Sequence, residues 1–303
     1  MPVRCPLCGT AGTRQLYEAR DPRFDGTGRF HVRWCEACGN ASTLPRPSAR
    51  ELQTHYPDAY DPYRPDLSER SRSAVHRALL AVGMRFGAGW TDDLPRGSLL
   101  DVGCGNGAYM AAMASRGFAV TGIEMSPRAC DLVARRGLPV LQGDFLEVDV
   151  PPESFDIVTM NHFLEHSLDP RASLRRAHTL LRRDGRLVVG VPNFDSWVRR
   201  RFGAHWSDLD LPRHLTHFTP RGLARLLDEC GFDRIRTRYE PSADSGSVLT
   251  SLLVRSGKRD DPVLRAAYPA LHVALYPVGL PLSLLGRSAW MRVTSRKPTR
   301  PGA

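Results

Sequence analysis

Lysine is almost missing from this chain: of 42 basic side chains, only Lys258 and Lys297 are lysines. That bias, beside abundant Ala, Gly and Pro, is the mark of a GC-rich coding style. The net charge of +10 therefore does not by itself signal nucleic-acid binding. The arginines are scattered, with short clusters at Arg175-Arg176, Arg182-Arg183 and Arg199 to Arg201, as on a solvated basic surface. Long apolar runs are missing as well. Met1-Pro2-Val3-Arg4-Cys5 has no apolar core of a secretory signal, so the expected location is cytoplasmic, with the inner face of the membrane as an option. Leu271 to Leu285 is strongly apolar, but Pro277 and Pro281 interrupt it and Arg265 and His272 flank or enter it. It is too short and too broken to span a bilayer. Three roles stay open for residues 263–286: a lid over a site, a dimer face, or a peripheral membrane contact. Internal repeats are absent. A hydrophobic content of 42% excludes wholesale disorder, and 303 residues suffice for one large domain and a small one.

Cysteine is sparse and uneven, seven in all. Cys104, Cys130 and Cys230 are isolated. The other four form Cys5-Pro6-Leu7-Cys8-Gly9 and Cys35-Glu36-Ala37-Cys38-Gly39. Paired C-x-x-C knuckles, each closed by a glycine, present four thiolates to one tetrahedral Zn²⁺. Four sulfurs leave no open position, so Cys5, Cys8, Cys35 and Cys38 read as a structural zinc site. Without a secretion signal, disulfides are a poor alternative. Residues 1–44 are thus expected to be a zinc ribbon. Residues 45–90 read as a linker and an accessory helix over Glu69 to Trp90, with Val75, Leu79, Leu80, Val82 and Phe86 apolar.

The most informative stretch is Leu99-Leu100-Asp101-Val102-Gly103-Cys104-Gly105-Asn106-Gly107. An apolar strand breaks into three glycines and then into an amphipathic run, Tyr109 to Arg116. Glycines at a strand-to-helix turn let a ligand approach the backbone. Glu124 follows about twenty residues on, at the end of a second strand-like run, where an acid can meet ribose hydroxyls. The spacing is not G-x-G-x-x-G, and Asp101 sits inside the strand. A carboxylate there would repel a pyrophosphate but suits a ligand carrying an ammonium and a sulfonium.

Strand and helix signals alternate from there on, which predicts an α/β fold with a doubly wound parallel sheet. Strands are expected near 98–102, 119–123, 139–141, 155–160, 186–191 and 233–239, with an antiparallel seventh at 289–295. Helices are expected near 108–116, 127–136, 170–182 (ending on Asp184-Gly185) and 220–230. Residues 91–303 then form the main domain, with an apolar lid or insertion at about 241–286.

The string D-V-G-C-G-N-G with Glu124 resembles motif I of the class I S-adenosylmethionine (SAM) methyltransferases. Gly143-Asp144-Phe145, Phe155-Asp156-Ile157-Val158 with Leu164-Glu165-His166-Ser167-Leu168-Asp169-Pro170, and Leu180 to Leu187 resemble later motifs in the right order. The stretches Val191-Pro192-Asn193 and Trp206 to Pro220 resemble a small-molecule subfamily related to the ubiquinone-pathway O-methyltransferases. Some sugar C-methyltransferases of that group carry an N-terminal zinc module, together with a C-terminal domain for which too few residues remain after 240. The resemblance implies a Rossmann-like seven-stranded sheet and SAM as cofactor. It places SAM against Asp101, Gly103, Cys104, Gly105, Gly107, Glu124, Met125, Asp144, Phe145 and Asn161.

Methyl transfer to a hydroxyl needs a proton acceptor with a pKa near working pH, which favours histidine. His162, His166, His214 and His217 are the candidates, His217 serving equally as packing under the helix that starts at Pro220. His162 and His166 share a face if their segment is helical, and the pair Glu165-His166 serves equally as a buttress of the turn. Asp208 and Asp210 are candidate proton acceptors or cation ligands, or plain loop carboxylates in solvent; Trp197, Phe202 and Trp206 are candidate pocket walls or plain lid packing. The expected function is methyl transfer, at oxygen, to a small-molecule or carrier- or lipid-linked acceptor. An rRNA methyltransferase using the ribbon for RNA contact is the first alternative, although the N-P-P-Y/F loop of many base-methylating enzymes is missing after Met160. An inactive binding protein on the same fold is the second.

Overall fold

The computed structural model of the chain describes residues 2–21, 28–56, 96–258 and 262–299. The helix expected over Glu69 to Trp90 lies outside the described residues. Near the N-terminus, strands β1 (Arg14–Ala19), β2 (Phe30–Cys35) and β3 (Asn40–Leu44) form an antiparallel meander. Phe30 and Val32 alternate inward on β2, the period-2 pattern of a strand with one buried face. A short helix, α1 (Ala49–Thr54), starts at a capping box in which Ser48 and Glu51 exchange side-chain and backbone hydrogen bonds.

The main sheet begins with β4 (Ser98–Val102), whose Leu99, Leu100 and Val102 are fully buried. A strand apolar on both faces belongs in the middle of a parallel sheet. Helix α2 (Ala108–Ala114), β5 (Ala119–Glu124), helix α3 (Pro127–Arg135), β6 (Val140–Gln142), β7 (Phe155–Asn161), helix α4 (Pro170–Leu180) and β8 (Leu181–Pro192) follow in βα alternation. Helix α5 (Trp197–Phe202), β9 (Thr216–His217), helix α6 (Pro220–Glu229), β10 (Asp233–Tyr239), helices α7 (Pro241–Ser256) and α8 (Pro262–Leu284), and β11 (Trp290–Arg296) complete the order. Helices α3, α4 and α6 start alike: Ser126, Asp169 and Thr219 cap them and a proline follows at the first helical position, where its missing N–H costs nothing.

The seven strands lie in the order β10-β11-β8-β7-β4-β5-β6. Strands β4 to β8 run parallel, and β11 is antiparallel to both β8 and β10, as the seventh strand was expected to be. The strand order reverses beside β4, so the carboxyl ends of β4 and β7 form a topological switch point, where ligands bind in open α/β sheets. One boundary differs from expectation. Helix α4 stops at Leu180, and Leu181, fully buried, already pairs with Phe155. Asp184 (φ 63) and Gly185 thus turn the chain inside β8 rather than cap the helix.

Two further features were not foreseen. The two-residue strand β9 joins the N-terminal meander, giving a second sheet β1-β2-β3-β9 in which Ala41 faces His217 and Ser42 faces Thr216. The apolar segment 263–286 is not broken at its prolines; α8 is one helix of 23 residues. Gly279 lets it cross the start of α7, because a Cβ there would run into the carbonyl of Pro241. None of the described helices is long and apolar enough to cross a membrane.

Candidate active site

At the end of β4 the chain turns through Gly103, Gly105 and Gly107 with φ of 68°, 54° and 75°. At Gly103 a side chain is excluded twice, by this left-handed backbone and by Phe163, 2.9 Å from where a Cβ would lie. Glu124, at the end of β5, is buried beside the turn. Its Oε2 accepts from the Gly105 N–H at 2.9 Å and its Oε1 from the Ser126 N–H at 2.9 Å. Asp144 lies exposed at the lip, one oxygen accepting from the Leu146 N–H at 2.8 Å. Met125 stands half exposed between these two acids in sequence. Two of the expected cofactor residues have side chains that turn inward. Phe145 is buried in the main core, edge-on to Phe163 at 5.8 Å. The Cys104 side chain is also buried, directed at Gly122, with its thiol pKa raised by burial.

Beneath the glycine turn, Asp101 is buried on β4, and its register partner on β7 is Thr159, whose Oγ1 donates to Asp101 Oδ1 at 2.6 Å. Burial, reinforced by the charge of Glu124, pushes the Asp101 carboxyl up to about 7, against the hydrogen bond from Thr159 and the pull of the neighbouring Asn161 amide. Tyr109 Oη and Asn161 Nδ2, both close to this carboxylate, are buried and complete no well-formed hydrogen bond among the described residues. Orphaned polar atoms around a carboxylate under a bare glycine turn fit a cationic ligand with further polar groups.

On the other side of the switch point, His162 follows β7 directly. It is not helical: its φ is 52°, and only Leu164–His166 form a 3₁₀ turn. His162 and His166 therefore do not share a helix face. His162 Nδ1 meets Glu165 Oε1 at 3.1 Å, its ring packs edge-on against Trp290 at 4.4 Å, and 39% of its side chain stays open to solvent. Desolvation lowers its pKa, but the hydrogen bond and charge of Glu165 more than offset this, and the net shift is upward. Glu165 is buried; against that desolvation, His162, His166 and His214 hold its carboxyl down to about 2. His166 lies deeper, with its Nδ1 3.1 Å from the Arg213 carbonyl, and burial followed by His214 pushes it down to about 4. His214 Nδ1 donates to the Asp208 carbonyl at 2.7 Å. Asp208, its carboxyl pKa raised by burial, accepts from Ser247 Oγ at 2.6 Å and lies by the Trp290 indole.

The family model of the methyltransferase domain matches residues 48–237. The chain belongs to that family. Among curated proteins, this methyltransferase is 29% identical over 167 residues to the ubiquinone biosynthesis O-methyltransferase of Idiomarina loihiensis, covering 51% of this chain and 69% of that protein. It is 30% identical over 161 residues to its namesake from Aeromonas salmonicida, covering 47% and 67%. An uncharacterised 37.1 kDa protein in transposon TN4556 of Streptomyces fradiae is 29% identical over 210 residues, 63% of this chain but only 57% of that protein. Two solved structures share the fold. They are the cyclase SpnF (TM-score 0.51, 20% identity, covering 84% of this chain and 98% of that one) and the geranyl diphosphate C-methyltransferase of Streptomyces coelicolor (TM-score 0.50, 16%, 74% and 78%). A cyclase and a C-methyltransferase on one fold leave the acceptor chemistry to the site.

The N-terminal meander of the methyltransferase is fused to the segment His214 to Thr219. Cys5 Sγ lies 3.8 Å from Cys38 Sγ, and Cys8 Sγ lies 3.6 Å from Cys35 Sγ. At a Zn–S distance of 2.3 Å the edge of a tetrahedron is about 3.8 Å, so the four thiols fit a zinc ion. Asn40, just beyond the second knuckle, accepts from the Thr219 N–H, and Thr219 Oγ1 donates to the Gly39 carbonyl, tying the knuckle to the start of α6. Thr43 Oγ1 donates to the His214 carbonyl at 2.6 Å and meets His217 Nε2 at 2.9 Å. Arg213, fully buried, pairs with both oxygens of Asp21 and with Asp210 Oδ1, all at 2.8 Å. Sequence reasoning missed this triad; Asp21 and Arg213 are 192 residues apart.

Helix α7 packs on the loop around Trp206 to Asp208. Trp206 Nε1 donates to Ser247 Oγ, the Ser207 N–H donates to Ser251 Oγ, and Asp244 accepts from the Ala289 N–H at 2.7 Å. The segment expected as a lid is thus bolted to the loop 203–211 and to the start of β11. The outer α8 carries exposed Leu271, Val278, Leu280 and Leu284.

Proposed function

We propose that the chain transfers the methyl group of S-adenosylmethionine to an oxygen of a small-molecule or carrier-linked acceptor, with His162 as the general base. Asp101, Glu124 and Asp144 hold the cofactor, together with the backbone of Gly103, Gly105 and Gly107 and the side chains of Met125 and Asn161. When bound, SAM supplies an electrophilic methyl on a good leaving group. What the protein must add is alignment, exclusion of water and a proton acceptor. The observation that carries the reading is the His162–Glu165 pair at the carboxyl end of β7. Glu165 Oε1 accepts a hydrogen bond from the Nδ1–H, which leaves Nε2 as the proton acceptor. As the acceptor oxygen bonds to the methyl carbon and the carbon–sulfur bond breaks, the hydroxyl proton passes to Nε2. His166 and His214, turned onto backbone carbonyls, are not needed as bases. We further propose one structural zinc at Cys5, Cys8, Cys35 and Cys38. The ribbon spends its inner edge on β9 and its second knuckle on α6, which supports a scaffolding role over RNA contact.

The test uses SAM labelled in its methyl group, offered total RNA or a metabolite extract. Label in an organic-extractable product is expected, and label at one defined nucleotide of RNA overturns the reading. Glu124→Ala should weaken SAM binding by about 1–3 kcal/mol, the scale of hydrogen bonds to a charged group. Unchanged affinity by calorimetry removes Glu124 from the site.

A further inference from the structure

Behind His162, three side chains converge from two loops. Glu165, His166 and His214 each offer a ligand atom within 4.8 Å of the other two. The tautomers follow from the hydrogen bonds. His166 Nδ1 lies 3.1 Å from the Arg213 carbonyl and 2.9 Å from Tyr56 Oη; the carbonyl only accepts and the tyrosine oxygen can accept as well, so a proton on Nδ1 serves both and leaves Nε2 a lone pair. His214 Nδ1 faces the Asp208 carbonyl at 2.7 Å, with the same result. Both rings are thus fixed by a second-shell carbonyl in the manner of metal-binding histidines. Glu165 Oε1 is bonded to His162, while Oε2 is buried and has no partner among the described residues. A buried, unpartnered carboxylate oxygen is costly unless something cationic meets it. The charge around it fits. Arg213 is already neutralised by Asp21 and Asp210, and the His214 Nε2 lies 3.9 Å from Asp210 Oδ2, too far for a hydrogen bond.

We propose that Glu165, His166 and His214 form a second metal site, for a divalent first-row cation such as Zn²⁺. Two imidazoles and a carboxylate suit such ions, and bonds of 2.0–2.2 Å place the ligand atoms about 3.3 Å apart, so the three side chains close by roughly an ångström on binding. Three protein ligands leave coordination positions open, unlike the four sulfurs of the ribbon. The site stands whether or not His162 is the base.

The full-length protein is saturated with Zn²⁺, passed through metal-free buffer, and its metal counted by mass spectrometry. Two zinc ions per chain are expected, falling to one in His214→Ala and in Glu165→Gln, with circular dichroism checking that both variants fold. Cobalt exchange of the unaltered chain keeps the measurement decisive if a variant does not fold. The second equivalent should add weak visible d–d bands without new thiolate-to-cobalt charge transfer. Saturation at one ion per chain, a second ion retained in both folded variants, or a second cobalt with thiolate bands overturns the assignment.

Discussion

Replacing Asp101 by asparagine should stabilise the ligand-free protein and weaken SAM binding, and the size of the first effect should depend on pH in a defined way. The folded carboxyl is pushed up from 3.8 to about 7, chiefly by burial. Below about pH 4 both folded and unfolded chains carry the proton. Between roughly pH 4 and 7 the unfolded chain has lost it and the folded chain keeps it, so stability falls with rising pH at about 1.4 kcal/mol per unit. Above 7 the loss levels off, at about 4 kcal/mol in total. Asparagine has no such proton. It keeps an oxygen for Thr159 Oγ1, and a flipped Asn161 amide can accept from its new N–H. The advantage of Asp101→Asn in urea denaturation should therefore be near zero at pH 4, grow to pH 7 and stay constant beyond. Cationic SAM restores the ionised form, so binding near pH 6 should release protons in the native chain and none in the variant, read by calorimetry in buffers of different ionisation heat. A stability difference that does not change between pH 4 and 8 refutes the reasoning.

Arg213→Ala leaves Asp21 and Asp210 buried without their cation, and should cost about 3–5 kcal/mol in chemical denaturation. Cys35→Ser should lose the ribbon zinc and, because Thr43 holds His214 and His217, abolish acceptor turnover while SAM affinity stays within a few-fold; equilibrium dialysis and turnover assays separate the two. His162→Ala should lower kcat about 10²–10⁴-fold with SAM affinity unchanged, as removal of a general base does, measured by steady-state kinetics beside a binding titration.

Much of the fold was legible in the sequence because its elements announce themselves locally. Leu99 to Val102 is apolar on both faces, and Ser126-Pro127, Asp169-Pro170 and Thr219-Pro220 mark helix starts within two residues. What escaped notice depends on partners far away in the chain or on conformations without a pattern. Thr216–His217 is too short to show any periodicity and becomes a strand only because Ala41 and Ser42 lie beside it. Asp184-Gly185 has the composition of a helix cap, yet Leu181 is claimed by Phe155 first. In the site, the acids and glycines of the cofactor cleft were readable from spacing. The pairing of His162 with Glu165 was not, since it requires a left-handed residue that is not glycine. The inward turn of Phe145 was not legible either: the carboxylate before it is exposed, while its own ring packs in the core.

The pairing of β3 with β9 also sets an order of events during synthesis. Thr43 leaves the ribosome 174 residues ahead of His217. At about 5–20 residues per second, the finished meander waits roughly ten to thirty-five seconds with one row of backbone groups unsatisfied. Such an open strand recruits other chains. A zinc clasp that holds β2 and the knuckles in shape through this interval would keep the edge correctly presented until its own partner arrives. Shortfalls of zinc in the growing cell should therefore show first as aggregation of newly made chains, before any decline in the activity of chains already folded.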